Sequence, residues 1–128
     1  MPTGLVSPQL HRRFDQFACP ALVALSAVLS RRDPAAASVA LTMAAGEGAA
    51  QLTTNYPPAI LPWLSFRGHT RVGIAHGLFI GALAATVPGI TRRNRWLLAG
   101  LAALPILLSA VSHTSQDAPA ARLPQDAV

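Results

Sequence analysis

Apolar residues form four long segments along this chain, and short polar stretches separate them. Basic clusters at 31–32 and 92–95 divide the first segment from the second and the third from the fourth, and a polar connector at 53–68 separates the two pairs. The segments are rich in Ala and Leu, which have high helix propensity, and poor in β-branched residues. The pattern therefore predicts an all-α fold, an integral membrane four-helix bundle made of two related helical hairpins.

Local signals mark where these helices begin and end. Ser7 and Asp33 each stand directly before a proline, which places a capping residue ahead of a proline at the first helical position. The connector contains three prolines, which exclude a regular helix there. We expect helices at about 8–30, 34–52, 66–88 and 92–111 within a membrane domain at 8–112, a frayed segment at 1–7 and a disordered tail at 113–128.

Composition and charge point in the same direction. The 128 residues are 52% hydrophobic and only 12% charged, which is roughly half the usual charged fraction of a soluble domain. The net charge of +5 comes entirely from arginine, and the arginines cluster between apolar segments, where the loop charges of membrane proteins lie. We therefore expect the lipid bilayer as partner, not nucleic acid, and a multi-pass protein of the inner membrane.

The membrane prediction raises two further questions, namely whether the first helix is retained and which way the helices are oriented. The first apolar segment resembles a signal peptide, but Ser30 and the charged residues after it make a poor cleavage site, so we expect a retained helix. Arginine counts on the two sides of the bundle are equal, so the charge bias predicts no orientation.

Aromatic residues flank the apolar segments at the positions expected for a membrane surface. An aromatic ring suits the headgroup zone because its polar edge can remain wet there while its face meets lipid. The predicted interface aromatics are Tyr56, Trp63, Phe66 and Trp96.

The third segment carries glycine at every fourth position, namely Gly73, Gly77 and Gly81. In an apolar helix this spacing makes a groove that another helix can approach closely. The neighbour is either another helix of the same chain or a second copy, so a homo-oligomer or a membrane complex is open at this point.

His11 and Asp15 lie one helical turn apart, so their side chains meet on one helix face. Such a pair carries a proton, contributes to a metal site, or merely orients the helix entrance. No metal site is predicted from this pair alone.

Further ionisable residues occur inside the apolar segments. His69 and His76 are two turns apart on the third helix, and Glu47 lies on the second. Ionisable residues at membrane depth are costly and often functional, so these three are candidates for a proton site, a quinone contact or a haem ligand. The alternative is a neutral histidine that hydrogen-bonds a backbone carbonyl, with Glu47 near the interface.

Motifs of soluble enzymes do not occur in the sequence. There is no nucleophile elbow, phosphate-binding glycine loop or zinc-protease helix, and a lone Cys19 excludes an intrachain disulfide. No catalytic residue and no cofactor is predicted, with haem kept as an alternative.

The two halves of the chain also resemble each other. A shift of about 58 residues places His11 over His69, and a slightly larger shift places Arg31 and Arg32 over Arg92 and Arg93. Each half therefore has a histidine at its entry, an apolar helix, two arginines and a second apolar helix.

Thr54, Asn55 and Tyr56, the proline-containing connector, then His69 and a glycine-rich helix ending at Pro88 resemble the bacterial SPW-repeat (Ser-Pro-Trp) membrane proteins. The resemblance spans roughly residues 11–111, although the Ser-Pro-Trp motif itself is absent. It implies a small four-helix integral membrane protein without an assigned activity.

Together these patterns lead us to expect a structural or accessory membrane subunit without catalysis. The alternative is a redox or proton-transfer subunit that uses intramembrane His and Glu side chains with haem or quinone.

Overall fold

The computed structural model describes residues 5–57 and 59–112, and within them the chain forms four helices and no strand. The all-α prediction is confirmed, and each helix ends within two residues of its predicted boundary. The predicted tail at 113–128 lies outside the described residues. The helices are α1 (Pro8–Leu29), α2 (Pro34–Thr53), α3 (Phe66–Thr86) and α4 (Arg92–Val111).

Every helix begins at a side chain that accepts a hydrogen bond from a backbone N–H of its first turn. Such a cap satisfies a donor that has no partner within the helix. Proline follows the cap in α1 and α2, where its missing N–H is not needed. The four caps are Ser7, Asp33, Ser65 and Thr91.

The residues before α1 are not frayed, so the prediction for segment 1–7 is wrong at residues 5–7. The backbone N–H groups of Leu5 and Val6 donate to the carbonyl oxygen of Val111, at 2.7 and 3.1 Å. The same arrangement occurs before α3, where the N–H of Leu64 donates to the carbonyl of Thr53 at 2.9 Å. In both places the chain that enters one helix pairs with the end of another, so its backbone groups have partners. Residues 1–4 lie outside the described range.

One offset of 58 residues relates the two halves throughout. Helix α1 begins at residue 8 and α3 at residue 66, and α2 begins at residue 34 and α4 at residue 92. The same offset also relates the isolated bridge between Val6 and Ser112 to the one between Leu64 and Thr54. The larger offset suggested by the arginine pairs is wrong, because Arg31 and Arg32 precede α2 whereas Arg92 and Arg93 begin α4.

The helices pack as two hairpins with a core of small side chains. α1 packs chiefly on α2 and α3 chiefly on α4, and the hairpins meet mainly through α2 and α3. Alanine is the most frequent residue of the core, and its small side chain lets helix backbones approach closely. The larger core members are Leu22, Met43, Ile80, Ile90 and Leu98.

Large apolar side chains lie on the outside of the bundle. Phe17 is 74% exposed, Trp96 70% and Leu107 60%. Within the part of the chain that the structure describes, α4 alone is long and apolar enough to cross a membrane, judged by length and composition.

The hairpin loops meet through Asp33 at the end of the bundle where α2 and α4 begin. Asp33 Oδ1 accepts from the N–H of Ala36, which caps α2. Asp33 Oδ2 accepts from the N–H and the hydroxyl of Thr91, both at 3.0 Å, and from the side-chain amide of Asn94 at 2.8 Å. One buried carboxylate therefore caps α2 and holds the start of α4 beside it.

Two of the three predicted groove glycines contact α4. A Cβ at Gly73 would come 2.7 Å from Ser109 Oγ, and a Cβ at Gly77 would come 2.6 Å from the carbonyl oxygen of Ala102. A Cβ at Gly81 would meet nothing within 4 Å. The groove therefore consists of Gly73 and Gly77, and its neighbour is a helix of the same chain.

We expect Gly77→Ala to lower the free energy of unfolding by about 1–3 kcal/mol, because the added methyl group forces α3 away from the α4 backbone. Gly81→Ala is the matched control, and it should leave stability unchanged or raise it by up to about 1 kcal/mol through helix propensity. Thermal unfolding of both variants in detergent, followed by circular dichroism, compares them. Equal unfolding temperatures for the two variants would contradict the close approach at Gly77.

Candidate functional site

A cluster of buried polar side chains lies at the other end of the bundle, where α1 and α3 begin and α2 and α4 end. Its centre consists of His11, Asp15 and His69, here called the His–Asp–His cluster, with exposed fractions of only 2%, 4% and 3%. His69 Nε2 lies 2.9 Å from Asp15 Oδ2, and His11 Nε2 lies 3.5 Å from Asp15 Oδ1. Both histidines therefore direct the same ring nitrogen at one carboxyl group.

The helix geometry explains this convergence. His11 and Asp15 are four residues apart on α1, so they share one face of that helix. His69 occupies on α3 the position that His11 occupies on α1, and the 58-residue relation brings it to the same end of the bundle. Asp15 has a glycine, Gly73, as its counterpart in the second half, so the two histidines share a single acid.

A hydroxyl group from the end of α2 fixes the orientation of His69. Thr54 Oγ1 donates to the carbonyl oxygen of Ala50, and His69 Nδ1 lies 2.8 Å from the same Oγ1. Because the single hydroxyl proton of Thr54 is already engaged, His69 Nδ1 must carry a proton and donate it to Oγ1. His69 Nε2 is then the nitrogen left to face Asp15.

His11 is held in the equivalent way by the end of α4. Ser112 Oγ donates to the carbonyl oxygen of Leu108 at 2.6 Å, and His11 Nδ1 lies 2.6 Å from this Oγ. His11 Nδ1 therefore donates to Ser112, and its Nε2 faces Asp15. Each histidine is thus oriented by a hydroxyl group from the opposite half of the chain.

These hydrogen bonds determine where protons lie in the His–Asp–His cluster. The 2.9 Å contact between His69 Nε2 and Asp15 Oδ2 needs a proton between the two atoms. Since Nδ1 of His69 is already protonated, the contact is either an imidazolium with a carboxylate or a neutral imidazole with a protonated Asp15. The cluster therefore holds one proton that Asp15 and His69 share.

Aromatic rings separate the cluster from the connector side. The Tyr56 hydroxyl donates to Asp15 Oδ2 at 3.0 Å, and the Phe66 ring stacks on His69 with centroids 6.1 Å apart. Arg12 lies over the outer face of Tyr56 at 5.6 Å. Burial, together with the adjacent Asp15 carboxylate, raises the pKa of the Tyr56 phenol above its usual value, so this hydroxyl remains a donor.

An apolar cavity of about 280 Å³ lies between α1 and α4 and reaches the cluster at one end. Its walls are almost entirely aliphatic and aromatic, and the residues Asp15 and Glu47 also border it. Within the described residues the Glu47 carboxyl has no hydrogen-bond partner, although Glu47 is only 7% exposed. Lining residues from α1 include Phe14, Ala18 and Leu22, and those from α4 include Leu97, Leu104 and Pro105.

The cavity marks the main difference between the two halves. At the interface of α2 with α3, the His76 ring packs on Gly46 so closely that a Cβ on this glycine would overlap it. The equivalent positions between α4 and α1 are Leu104 and Ala18, and both line the cavity. At the α2–α3 interface the larger residue of the pair, His76, belongs to α3. At the equivalent α4–α1 interface the larger residue, Leu104, belongs to α4, and this interface is left partly open.

The structure brings some of the predicted candidates together and separates others. His11, Asp15 and His69 form the cluster, and Glu47 faces the adjoining cavity. His76 instead donates from Nε2 to the carbonyl oxygen of Met43 at 3.2 Å, which is the alternative that the sequence left open.

The predicted interface aromatics also divide into two groups. Trp63 and Trp96 point outward, with exposed fractions of 77% and 70%. Tyr56 and Phe66 point inward, so the expectation of a wet Tyr56 hydroxyl is wrong: Asp15 is available as a buried acceptor.

Sequence reasoning missed the two hydroxyl groups and one amide of the site. Thr54 and Ser112 orient the histidines, and the Gln51 side-chain amide donates to the carbonyl of Asp15 at 2.5 Å. A signal was present, because Thr54 and Ser112 are related by the same 58-residue offset as His11 and His69.

Three ligand atoms of the cluster lie within 4.8 Å of one another, which is compatible with binding a metal ion. A haem with both histidines as axial ligands does not match this arrangement, because both Nε2 atoms lie within 3.5 Å of the Asp15 carboxyl group, where the porphyrin would have to be.

No protein-family model matches this chain, and neither a curated protein nor a solved structure matches it. The resemblance to the SPW-repeat proteins therefore stays a prediction.

Proposed function

We propose that this chain is a small multi-pass protein of the inner membrane that holds a lipid-soluble ligand between α1 and α4. The membrane placement is supported by the distribution of side chains: many large apolar side chains lie outside, whereas His11, Asp15, Glu47 and His69 are buried between the helices. Most arginines are exposed and lie at or near the helix ends. A water-soluble protein of this size has the reverse distribution. In a bilayer the outward side chains meet lipid, and the alanine core allows close helix packing.

Alkaline carbonate washing of membranes tests this placement. We expect the protein to remain in the membrane pellet, because its outward apolar surface has no other favourable environment. A peripheral protein expressed alongside serves as the control and should be released. Release of this chain into the supernatant would contradict the proposal.

The cavity supports the ligand-binding role. It is apolar along nearly all of its surface, its lining includes outward side chains such as Phe17, and the ionisable residues Asp15 and Glu47 border it. Glu47 lacks a hydrogen-bond partner among the described residues. A molecule with an apolar tail and a head group that accepts hydrogen bonds and protons, such as a quinone, matches this arrangement. Asp15 links the cavity to the proton held in the His–Asp–His cluster.

Binding of a short-chain quinone analogue in lipid nanodiscs tests this role. We expect Ala18→Phe to weaken binding at least about tenfold, since it fills the cavity as His76 fills the equivalent interface. Ala45→Phe, on the exposed face of α2, is the matched control and should bind as the unmodified protein does. Equal affinity of the two variants would exclude the cavity as the binding site.

A structural or accessory role without a ligand is the second candidate. It is favoured by the contacts of each histidine with a hydroxyl group of the other half, which fasten the two hairpins together. In that case neither phenylalanine variant changes ligand binding, because the protein binds no quinone.

A further inference from the structure

We propose that His11, Asp15 and His69 bind a divalent transition-metal ion of the zinc class. The donor set consists of two imidazole nitrogens and one carboxylate oxygen. Imidazole suits zinc, iron, copper and nickel, whereas magnesium and calcium prefer oxygen alone. Zinc is bound by two histidines and one carboxylate in several enzyme sites, with a further position left open.

The distances fit a common ion. Two ligand atoms that bind one zinc ion at about 2.1 Å lie roughly 3–3.5 Å from each other. His69 Nε2 lies 2.9 Å from Asp15 Oδ2 and His11 Nε2 lies 3.5 Å from Asp15 Oδ1, and one ligand atom from each of the three residues lies within 4.8 Å of the others. Full coordination requires these side chains to move towards the ion.

The hydroxyl groups supply the second observation. A metal-binding histidine almost always donates its other N–H to a nearby acceptor, which fixes the tautomer and leaves the ligating lone pair exposed. Here both Nδ1–H groups are donated, to Ser112 and Thr54, so both Nε2 atoms face Asp15. Binding of the ion releases to solvent the proton that His69 and Asp15 share in its absence. A histidine that only fastens two helices together needs no more than its Nδ1–hydroxyl contact. His11 and His69 each make that contact and also direct Nε2 at the carboxylate of Asp15.

Access and open coordination also agree with an ion site. Three protein ligands leave a fourth position, and Asp15 faces both the cluster and the cavity. Tyr56 and Phe66 cover the connector side, so loading requires opening of these rings. We expect slow uptake and equally slow release of the ion. The ion site does not rest on the membrane placement or on quinone binding, although a bound ion takes the place of the proton in the His–Asp–His cluster.

Zinc titration of the full chain in detergent tests the proposal. The protein carries a purification tag without histidine, is treated with a chelator, and is then titrated with Zn²⁺ against a chromophoric competitor after long incubation. We expect one equivalent to bind, and Mg²⁺ not to compete. His69→Ala and Asp15→Ala should weaken binding at least about 100-fold, and Thr54→Val about 10–100-fold.

His76→Gln is the matched control, because His76 lies on α3 outside the cluster and contacts the carbonyl of Met43. It should keep the affinity of the unmodified protein. The proposal is overturned if the unmodified protein binds no equivalent of Zn²⁺, or if His69→Ala binds as tightly as His76→Gln.

Cobalt provides a readout that does not depend on the folding of the ligand variants. Co²⁺ in the unmodified protein should show visible bands of a nitrogen and oxygen site. A strong thiolate charge-transfer band would assign the ion to Cys19 and overturn the proposal.

Discussion

Replacing Asp15 by alanine is expected to lower the free energy of unfolding by about 3–5 kcal/mol, which is the typical effect of removing one partner from a buried ionic pair. Asp15 accepts from Tyr56 and contacts both histidines, so its loss leaves two buried histidines and a partly buried tyrosine without their shared partner. Chemical denaturation in mixed detergent micelles measures this effect.

Double-mutant cycles separate the pairwise contributions at this centre. Combining Asp15→Ala with Tyr56→Phe should give a coupling energy of about 0.5–3 kcal/mol, because the two side chains are in direct contact. Asp15→Ala with Gly81→Ala should be additive. If Asp15→Ala changes stability by less than about 1 kcal/mol, the cluster does not hold the bundle end together.

Asp33→Ala is expected to destabilise the protein by about 2–4 kcal/mol. The change removes the α2 cap, worth about 1 kcal/mol, and leaves the partly buried donors of Thr91 and Asn94 without their acceptor. Ser38→Ala, an exposed position of α2 one turn further on, is the control and should change stability by less than about 0.5 kcal/mol.

The contribution of Asp33 should also depend on pH. Although burial raises the pKa of this carboxyl, hydrogen bonds from Ala36, Asn94 and Thr91 lower it from 3.8 to about 2. A lowered pKa means that the stabilisation is fully present above about pH 4 and is lost as the pH falls towards 2. The stability difference between the unmodified protein and Asp33→Ala should therefore shrink over this interval. A difference that stays constant from pH 6 to 2 would contradict the role of the charged carboxylate.

The helices were predictable because their signals are local. Capping residues, prolines and apolar segments each act within a few positions, so the four helix boundaries follow from them closely. Residues 5–7 were not predictable in this way, since the hydrogen-bond acceptor of Leu5 and Val6 is Val111, at the far end of the described chain.

The candidate site was predictable only in part. The spacing of His11 and Asp15 identified one half of the cluster, because four residues along a helix define a shared face. The contribution of His69, and the separation of His76 from it, depend on how α3 packs against α2. The His76 ring packs on Gly46 there, and a glycine in an alanine-rich helix carries no signal of the ring that lies on it.

Each histidine contacts a hydroxyl group from the other half of the chain, and this arrangement determines the order in which the site is completed during synthesis. His69 finds Thr54 already present in the nascent chain, but His11 has to wait for Ser112. Ser112 follows Thr54 by 58 residues, which corresponds to about 3–12 seconds at roughly 5–20 residues per second. During that interval Asp15 can already be contacted by Tyr56 and His69, but His11 Nδ1 still lacks its acceptor. A chain that stops before the end of α4 therefore leaves His11 without Ser112, and the site is completed only by the last described residue.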